Sequence, residues 1–358
     1  MNTSDERRRL RLMIVNPDLT QHGGIQTYCR SFREALQDLE NDLSLSVSFF
    51  SWKASGTDKL KQTYSVAMQI IKAFRRSVDV VIVPHINMGF PFLLLKLFLG
   101  TRLIVVCHGI EIWRKPTILK KLTIRWADCL WYVSSYTKEK ISQLYTTNAS
   151  LHPMPGCLVA NKNIAKLKKL HPKSEILFVG RIDKNERYKG FDRLVRALNM
   201  RPLPELAALN VVASGNDIDY MRDQLFQVHG NMDLRLIQSP GDSILNREYL
   251  DTTLLVVPSR GEGLGLVFHE ALLRKTPFLC EGLDGSHDAC GRGRIGFRVR
   301  GRSIKGLENA LSTTWAKTSL SRTESMFTEY DRYFSFGTFK QRLRCELVKS
   351  GAEKICAE

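Results

Sequence analysis

Short apolar runs alternate with longer amphipathic segments along most of the chain. In the first half, runs such as VDVVIVPH and RLIVVCHG contain few polar residues, which is typical of strands buried in a parallel sheet. Between these runs, apolar residues recur every three or four positions, and this spacing predicts helices. The same alternation restarts at EILFVGRID. Alternating strands and helices predict a doubly wound α/β sheet in each half of the chain.

The predicted strands are bounded by glycine, proline and polar clusters. They lie at residues 10–16, 43–50, 78–85, 102–109, 127–135, 175–183, 210–215, 233–237 and 253–259, with short strands added between 278 and 300. Helices are predicted between them, and one further helix is predicted near the C-terminus, at residues 337–349. The greasiest stretch, FPFLLLKLFLG, is too short to span a bilayer, and we interpret it as a buried helix.

The alternation is interrupted by a polar, lysine-rich segment that we interpret as a linker. A chain of 358 residues is long enough for two domains. We predict an N-terminal Rossmann-like domain at residues 1–160, a linker at 161–173, a C-terminal Rossmann-like domain at 174–336, and a helical tail at 337–358 that packs on the first domain. Since ligands bind at the carboxyl ends of such strands, the domains should face a central cleft.

Charge and cysteine content narrow the class of protein. The net charge is +17 and is shared by both halves, since residues 1–160 already carry 21 Lys and Arg against 12 Asp and Glu. Such an excess suits nucleic acid, anionic lipid or phosphorylated substrates. The even distribution argues against a nucleic-acid binder. Eight scattered cysteines without a CxxC pair indicate reduced thiols in a cytosolic protein, and the charged N-terminus does not read as a signal peptide.

The most specific chemical feature is the segment SRGEGLGLVFHEALL, at residues 259–273. Glu262 precedes a glycine-rich bend, and Glu270 lies in the helix predicted to begin near Gly265. A helix N-terminus favours an anion, because its N–H groups and its dipole point at the same place. A buried carboxylate needs hydrogen-bond donors, and a ribose diol can supply them. Either glutamate alone is more often a solvated surface residue, but the combination after a strand is specific.

Three further motifs follow predicted strands. Arg181 and Lys189, in FVGRIDKNERYKG, offer a guanidinium fork and a point charge for phosphate oxygens, although a solvated basic loop explains them as well. His108 ends a strand in VVCHGIE, three residues before Glu111, and a lone histidine there is more often structural. A QHGGI loop follows the first strand and opens a helix, as an ordinary turn also does.

These motifs stand in the order in which retaining glycosyltransferases of family 4 carry them, and the chain resembles that family along nearly its whole length. The resemblance implies a GT-B fold and transfer of a sugar from a nucleotide-diphosphate sugar to a glycan or lipid-linked acceptor, in cell-surface polysaccharide or glycolipid biosynthesis. It places the acceptor side in residues 1–160 and the binding of the nucleotide-sugar in residues 174–336. It implies no metal and no further cofactor, because Arg181 and Lys189 take the place of a divalent ion. One family loop is altered, because Asp288 and Ala289 replace its usual glutamate and apolar residue.

The resemblance also implies roles for individual residues. The implied donor-binding residues are Gly23, Gly24, Arg181, Lys189, Glu262, Leu264, Gly265, Leu266 and Glu270. The implied catalytic residues are His108, Glu262, Arg181 and Lys189, and the acceptor side is implied to hold His108 and Glu111.

The segment WRKPTILKKLTIRW has five cations, no acid and a tryptophan at each end, a pattern typical of helices at a membrane surface. The residues expected to contact the membrane are Trp113, Arg114, Lys115, Lys120, Lys121 and Arg125. A basic solvated helix face explains the pattern equally well. We expect a cytoplasmic protein with reversible contact to the inner face of the membrane. Arginines that alternate between residues 292 and 302 are interpreted as one face of a strand.

Other functions stay open. A GT-B sugar-nucleotide epimerase would act on the donor without an acceptor. A dinucleotide-dependent dehydrogenase predicts GxGxxG after the first strand, and this chain has only two glycines there. A non-enzymatic protein that binds anionic lipid or nucleic acid is the third alternative.

Overall fold

The chain forms two compact units, which we describe separately. In this computed structural model the first unit comprises Met1–Leu158 with Phe336–Glu358, and the second comprises Val159–Ser335. The residues that the structure describes are 10–19, 23–43, 45–52, 59–114, 116–154, 156, 174–184, 187–318 and 324–349. The predicted linker at 161–173 lies outside these residues.

The first unit contains a six-stranded parallel sheet in the order β2-β1-β3-β4-β5-β6. Its strands are β1 (Leu10–Pro17), β2 (Leu45–Trp52), β3 (Val80–Val83), β4 (Arg102–Cys107), β5 (Cys129–Tyr132) and β6 (Ser150–Pro153). The helices that connect them are α1 (Gly24–Asp42), α2 (Lys59–Arg76), α3 (Leu93–Leu99), α4 (Ile110–Trp113), α5 (Ile118–Trp126) and α6 (Ser135–Leu144). The strand order reverses direction between β1 and β3, so the loops after these two strands lie at a topological switch point.

The second unit repeats this architecture in the order β12-β11-β10-β7-β8-β9. Its strands are β7 (Glu175–Arg181), β8 (Ala208–Ser214), β9 (Asp233–Gln238), β10 (Leu254–Val257), β11 (Phe278–Cys280) and β12 (Phe297–Arg298). Its helices are α7 (Phe191–Met200), α8 (Ile218–Phe226), α9 (Asp242–Asp251), α10 (Leu266–Leu273), α11 (Ser286–Ala289), α12 (Ile304–Thr318) and α13 (Glu324–Phe334). Here the switch point lies between β7 and β10.

The last helix, α14 (Phe336–Leu347), returns to the first unit. Its Phe339 is buried, and the ring centroid lies 6.2 Å from Tyr28 and 6.3 Å from Phe32 on α1. Lys340 forms an ion pair with Asp38, also on α1, at 3.1 Å. An aromatic cluster therefore holds the C-terminal helix against α1.

The apolar runs form the central strands, as their composition predicts. Every residue of β3 and of β10 is buried, because both strands are covered on both faces by helices. The doubly wound α/β prediction is confirmed for both units. No helix among the described residues is long and apolar enough to cross a bilayer.

Two sequence expectations are wrong. The greasy stretch forms α3, but this helix is not buried, since Leu97 is 65% and Phe98 71% exposed. Only one side of a short surface helix can face the sheet, and Leu93 and Leu95 take it. The arginine-rich segment is not one strand face either. Gly291–Gly293 form a tight turn with left-handed backbone, and only Phe297–Arg298 pair with β11.

Candidate active site

The loop after β7 brings Lys189 against the loop after β10. Gly190 has φ 78° and caps α7, and a Cβ at this position would lie 2.4 Å from the carbonyl oxygen of Pro258. Only glycine permits both this backbone and this close approach. The backbone N–H of Arg260 donates to the carbonyl of Tyr188 at 2.9 Å. Lys189 is therefore fixed beside the start of the next loop.

Lys189 and Glu262 form an ion pair at the switch point of the second unit. The Nζ of Lys189 donates to Oε1 of Glu262 at 2.6 Å. The side chain of Lys189 is 15% exposed and that of Glu262 is 8% exposed. Charged groups with so little water around them are stable only when they are paired. The structure thus brings together two residues that the sequence analysis assigned separately.

The loop that follows β11 holds the backbone of Glu262. The N–H of Glu262 donates to Oδ2 of Asp284 at 2.7 Å, and the carbonyl of Glu262 accepts from the N–H of Gly285 at 2.9 Å. A Cβ on Gly285 would lie 1.8 Å from the carbonyl oxygen of Gly263. Burial raises the pKa of Asp284, and the neighbouring charge of Glu262 raises it further. The loop that contains Asp288 and Ala289, and that differs from the family pattern there, therefore supports the backbone of Glu262 through Asp284 and Gly285.

The glycine bend leads directly into α10. Gly265 is the N-cap and has φ 82°, a left-handed conformation that favours glycine. Leu264 is buried and Leu266 is the first residue of the helix. The first N–H groups of a helix have no acceptor within it. Leu264, Gly265 and Leu266 thus lie at a helix N-terminus, in the loop that carries Glu262.

Glu270 is half-buried on α10 and receives a hydrogen bond from Tyr249. The hydroxyl of Tyr249 donates to Oε2 of Glu270 at 2.8 Å. Burial raises the pKa of Glu270, whereas this hydrogen bond and the charge of Arg274 act in the opposite direction. The guanidinium of Arg274 also lies 5.0 Å from the centre of the Tyr249 ring. The sequence analysis missed Tyr249, since nothing in the spacing connects α9 with α10.

Arg181 is not part of the Lys189–Glu262 pair. It ends β7 with its side chain 63% exposed, and its Nε donates to Oδ2 of Asp183 at 2.8 Å. An exposed ion pair contributes little to stability and exchanges readily with other partners. The guanidinium therefore lies at the carboxyl end of β7, in an exposed ion pair that another anion can replace.

A second, deeply buried ion pair supports the same loops. Nη1 of Arg193, on α7, donates to Oε2 of Glu281 at 2.6 Å and to the carbonyl of Pro258 at 2.8 Å. Nε of Arg260 donates to Oε1 of Glu281 at 3.3 Å. Sequence reasoning missed these residues. The one available signal was an arginine that the helical period places on the buried side of α7.

In the first unit, Glu111 organises the loop after β4. Its carboxylate accepts from the N–H groups of His108 at 2.7 Å and of Gly109 at 3.0 Å. Burial opposes ionisation of Glu111, but the neighbouring His85 and His108 and the Gly109 N–H together hold its pKa below the ordinary value. The predicted pair at the end of β4 is thus assembled, with Glu111 bonded to backbone.

His108 is a neutral imidazole. Its Nε2 lies 2.8 Å from the carbonyl oxygen of Pro84, so Nε2 carries the proton and Nδ1 is an acceptor. Burial lowers its pKa to about 4, although the charge of Glu111 acts in the opposite direction. The Tyr28 ring contacts the imidazole edge-on at 4.7 Å.

The glycine pair after β1 opens α1. Gly23 is its N-cap, and the carbonyl of Gly23 accepts from the N–H of Thr27 at 3.0 Å. Gly23 has φ 162°, an extended backbone that any residue adopts. Both Gly23 and Gly24 are exposed at this helix N-terminus.

The expected membrane residues divide into two groups. Trp113 is partly buried, because its ring centroid lies 4.9 Å from that of Tyr136 and it packs against the core. Nζ of Lys120 turns inward and donates to the carbonyl of Glu111 at 2.9 Å. The remaining described members, Arg114, Lys121 and Arg125, are exposed. Lys115 lies outside the described residues.

Within the described part of the chain, no cluster of three or more His, Cys, Asp and Glu residues is placed to hold a metal ion. The ammonium of Lys189 is a positive charge in direct contact with Glu262, and Arg181 is a second cation at the end of β7.

Part of the chain is similar in sequence to a known family, and its fold is similar to that of solved structures. Residues 173–317 match the family described as Glycosyl transferases group 1. No curated protein sequence matches the chain.

Solved structures share the fold over nearly the whole chain. Sucrose-phosphate synthase from Thermosynechococcus elongatus has a TM-score of 0.77 and 15% identity, over 95% of this chain and 99% of that one. HepE from Anabaena, in complex with UDP and glucose, has a TM-score of 0.72 and 14% identity, over 95% and 100%. The catalytic domain of starch synthase IV from Arabidopsis thaliana, bound to ADP and acarbose, has a TM-score of 0.71 and 10% identity, over 96% and 99%. The predicted fold is confirmed: the chain has the GT-B fold, and its residues 173–317 are similar to the glycosyltransferase group 1 family.

Proposed function

We propose that the protein is a retaining glycosyltransferase of family 4, which transfers a sugar from a nucleotide-diphosphate sugar to a glycan or lipid-linked acceptor. The observation that carries this proposal is the buried Lys189–Glu262 pair at the switch point, next to the N-terminus of α10. Cations and a helix N-terminus suit a diphosphate, and a carboxylate suits sugar hydroxyls. The family match covers residues 173–317 of the second unit. One structural neighbour is in complex with UDP and glucose, and another is bound to ADP and acarbose.

In this proposal the second unit holds the donor. The ammonium of Lys189 and the N–H groups at Leu264, Gly265 and Leu266 stabilise the departing diphosphate. Arg181 exchanges Asp183 for a phosphate oxygen, which its exposed position permits. Glu262 binds hydroxyls of the donor sugar, and Glu270, already oriented by Tyr249, binds the ribose diol.

The first unit serves the acceptor in this proposal. His108 is neutral at physiological pH, and its Nδ1 can accept a hydrogen bond from a sugar hydroxyl. Glu111 positions His108 through their backbone contact. Gly23 and Gly24 leave the N-terminus of α1 exposed, a position that suits an anion. A role in cell-surface polysaccharide or glycolipid biosynthesis, at the cytoplasmic side of a membrane, belongs to the same proposal.

The chemical step needs charge stabilisation above all. The bond between the anomeric carbon and the phosphate oxygen breaks, and the bond to the acceptor oxygen forms on the same face of the sugar. The acceptor proton passes to the departing diphosphate. Preorganised cations and dipoles are typically the largest source of catalysis in such a step. Lys189 and Arg181 supply this charge, so we propose that no divalent metal is required.

The test is a thermal-unfolding panel with UDP-, GDP-, ADP- and dTDP-sugars, with and without EDTA. A donor at about 100 times its Kd should stabilise the protein by about 2.7 kcal/mol. The same shift is expected with EDTA. If no nucleotide-sugar shifts the transition, the proposal fails. Conversion of the donor to an isomer without any acceptor would identify an epimerase instead.

Retention is tested on the product. The anomeric proton coupling in the NMR spectrum should show the same configuration in donor and product. An inverted configuration would exclude family 4 while leaving glycosyl transfer intact.

A further inference from the structure

We propose that α3 and α5 together form a surface that docks on an anionic lipid bilayer. The large exposed apolar side chains of the first unit concentrate on these two helices. On α3, Leu97 and Phe98 are 65% and 71% exposed, and on α5, Ile118, Leu119 and Trp126 are 76%, 52% and 50% exposed. We call these five residues, with Lys121 and Arg125, the apolar-basic face.

The two helices lie side by side. Helix α3 connects β3 to β4 and the segment with α5 connects β4 to β5, and these are neighbouring strand pairs in the sheet. Right-handed crossovers place both connections on the same face of the sheet. Lys96 on α3 forms an ion pair at 2.5 Å with Asp128, two residues beyond α5. The exposed apolar residues of the two helices therefore lie on the same face of the sheet.

Both helices carry large apolar side chains on the outward side as well as on the buried side. On α5, Thr123 and Ile124 are buried, and Lys120 points back to the carbonyl of Glu111. Leu119 and Trp126, about two turns apart, lie along one edge of the exposed side of α5, and Lys121 and Arg125 lie along its other edge. An ordinary surface helix has charged and polar residues on its outward side and its apolar residues on the inner side. This pattern needs a partner that is apolar at depth and anionic at its surface.

The charges in this region select a lipid bilayer as that partner. Residues 59–126 contain 12 Lys and Arg against two acids, Asp79 and Glu111. Asp79 is paired with Arg11, and Glu111 is buried. Exposed cations beside exposed Leu, Ile and Trp are the combination that binds anionic headgroups and inserts into the acyl boundary. A second copy of the chain would instead bring these like charges together.

This inference extends the proposed function, since a docked enzyme would meet lipid-linked acceptors at the membrane. Its test needs neither donor nor acceptor, so it can fail independently. Full-length protein is mixed with vesicles of phosphatidylcholine alone or with added phosphatidylglycerol, and binding is measured by flotation. We expect binding to the phosphatidylglycerol vesicles and weakening by salt.

Two double variants locate the surface. Leu97→Ser with Phe98→Ser, and separately Lys121→Gln with Arg125→Gln, should each reduce the vesicle partition coefficient by about 30-fold. The matched controls lie on the second unit, where Phe226 is 85% exposed and Arg222 and Arg247 are exposed. Phe226→Ser, and Arg222→Gln with Arg247→Gln, should leave binding unchanged. Circular dichroism checks that every variant is folded.

Three results would overturn the inference. The first is that the wild-type protein floats with no vesicle. The second is that the control variants lose binding to the same extent as the test variants, which would show a diffuse charge effect. The third is a dimer in gel filtration with light scattering that Leu97→Ser with Phe98→Ser dissociates, without binding to vesicles, since a second copy would then cover the apolar-basic face.

Discussion

At the scale of single residues, the Lys189–Glu262 pair combines a structural and a proposed chemical role. Both side chains are largely removed from water and lie on loops that are 73 residues apart in sequence. Removing one partner of such a pair leaves an uncompensated buried charge. A simple deletion of Lys189 would therefore confuse lost stability with lost donor binding.

A charge-matched pair of variants separates the two roles. Lys189→Met alone should destabilise the protein by about 3 kcal/mol, because Glu262 keeps its charge without a partner. Lys189→Met with Glu262→Gln should recover most of that loss, since no net charge stays buried. Neither variant should be stabilised by a nucleotide-sugar that stabilises the wild type. The measurement is urea unfolding with and without the donor.

Lys340→Met is the control for this comparison. Lys340 also pairs with a carboxylate, but its side chain is 35% exposed and that of Asp38 is 50% exposed. Its removal should cost less than about 1 kcal/mol and leave the donor response intact. A normal donor response in the double variant would remove Lys189 and Glu262 from the donor site.

At the scale of elements, the shape of the site depends on two loops in backbone contact. The loop after β11 approaches the loop after β10 so closely that Gly285 has no room for a side chain. Gly285 itself has φ −59°, which any residue adopts. The constraint is therefore one of space and not of backbone conformation.

Gly285→Ala should push the two loops apart. We expect a loss of stability of about 1–3 kcal/mol from overpacking and weaker binding of the donor, because the displaced loop carries Glu262. Gly241→Ala is the matched control, since Gly241 has φ −66° and no atom lies within 4 Å of its added Cβ. Thermal unfolding with a donor titration measures both effects. Equal behaviour of the two variants would show that the loops move freely.

The elements also show how far the sequence could predict this structure. Strands such as β7 and β10 were predictable, because buried parallel strands are short, apolar and bounded by turn residues. The contacts of Lys189 with Glu262, and of Tyr249 with Glu270, were not, since they join distant segments. The outward side of α3 was not predictable either, because six of its seven residues are apolar and no polar side indicates which residues face water.

At the scale of the whole molecule, each unit contains a histidine that stays neutral in the folded state. Burial lowers the pKa of His108 to about 4 in the first unit and that of His269 to about 3 in the second. An unfolded histidine has a pKa of about 6.5. Below that pH these histidines bind protons in the unfolded state and stay neutral in the folded state. The free energy of unfolding therefore falls as the pH falls.

His269 can be isolated from the other titrating groups. It is fully buried on α10 against the rings of Tyr330 and Phe334, and neither ring nitrogen has a hydrogen-bond partner within the described part of the structure. Burial raises the pKa of Glu270 and Asp284, and carboxyl groups of this kind add stability on acidification. A comparison of wild type with a variant of His269 cancels their contribution.

His269→Leu replaces the imidazole with an apolar side chain of similar volume. At about pH 7.5 it should stabilise the protein by about 1–3 kcal/mol, because two buried nitrogens no longer lack partners. Between about pH 6.5 and pH 4.5 the advantage should grow by a further 2–3 kcal/mol or so, since only wild-type His269 gains a proton on unfolding. Urea unfolding of the wild type and the variant at each of these three pH values measures the difference in stability. A stability difference that does not change with pH would mean that His269 is protonated in the folded protein or has a partner there.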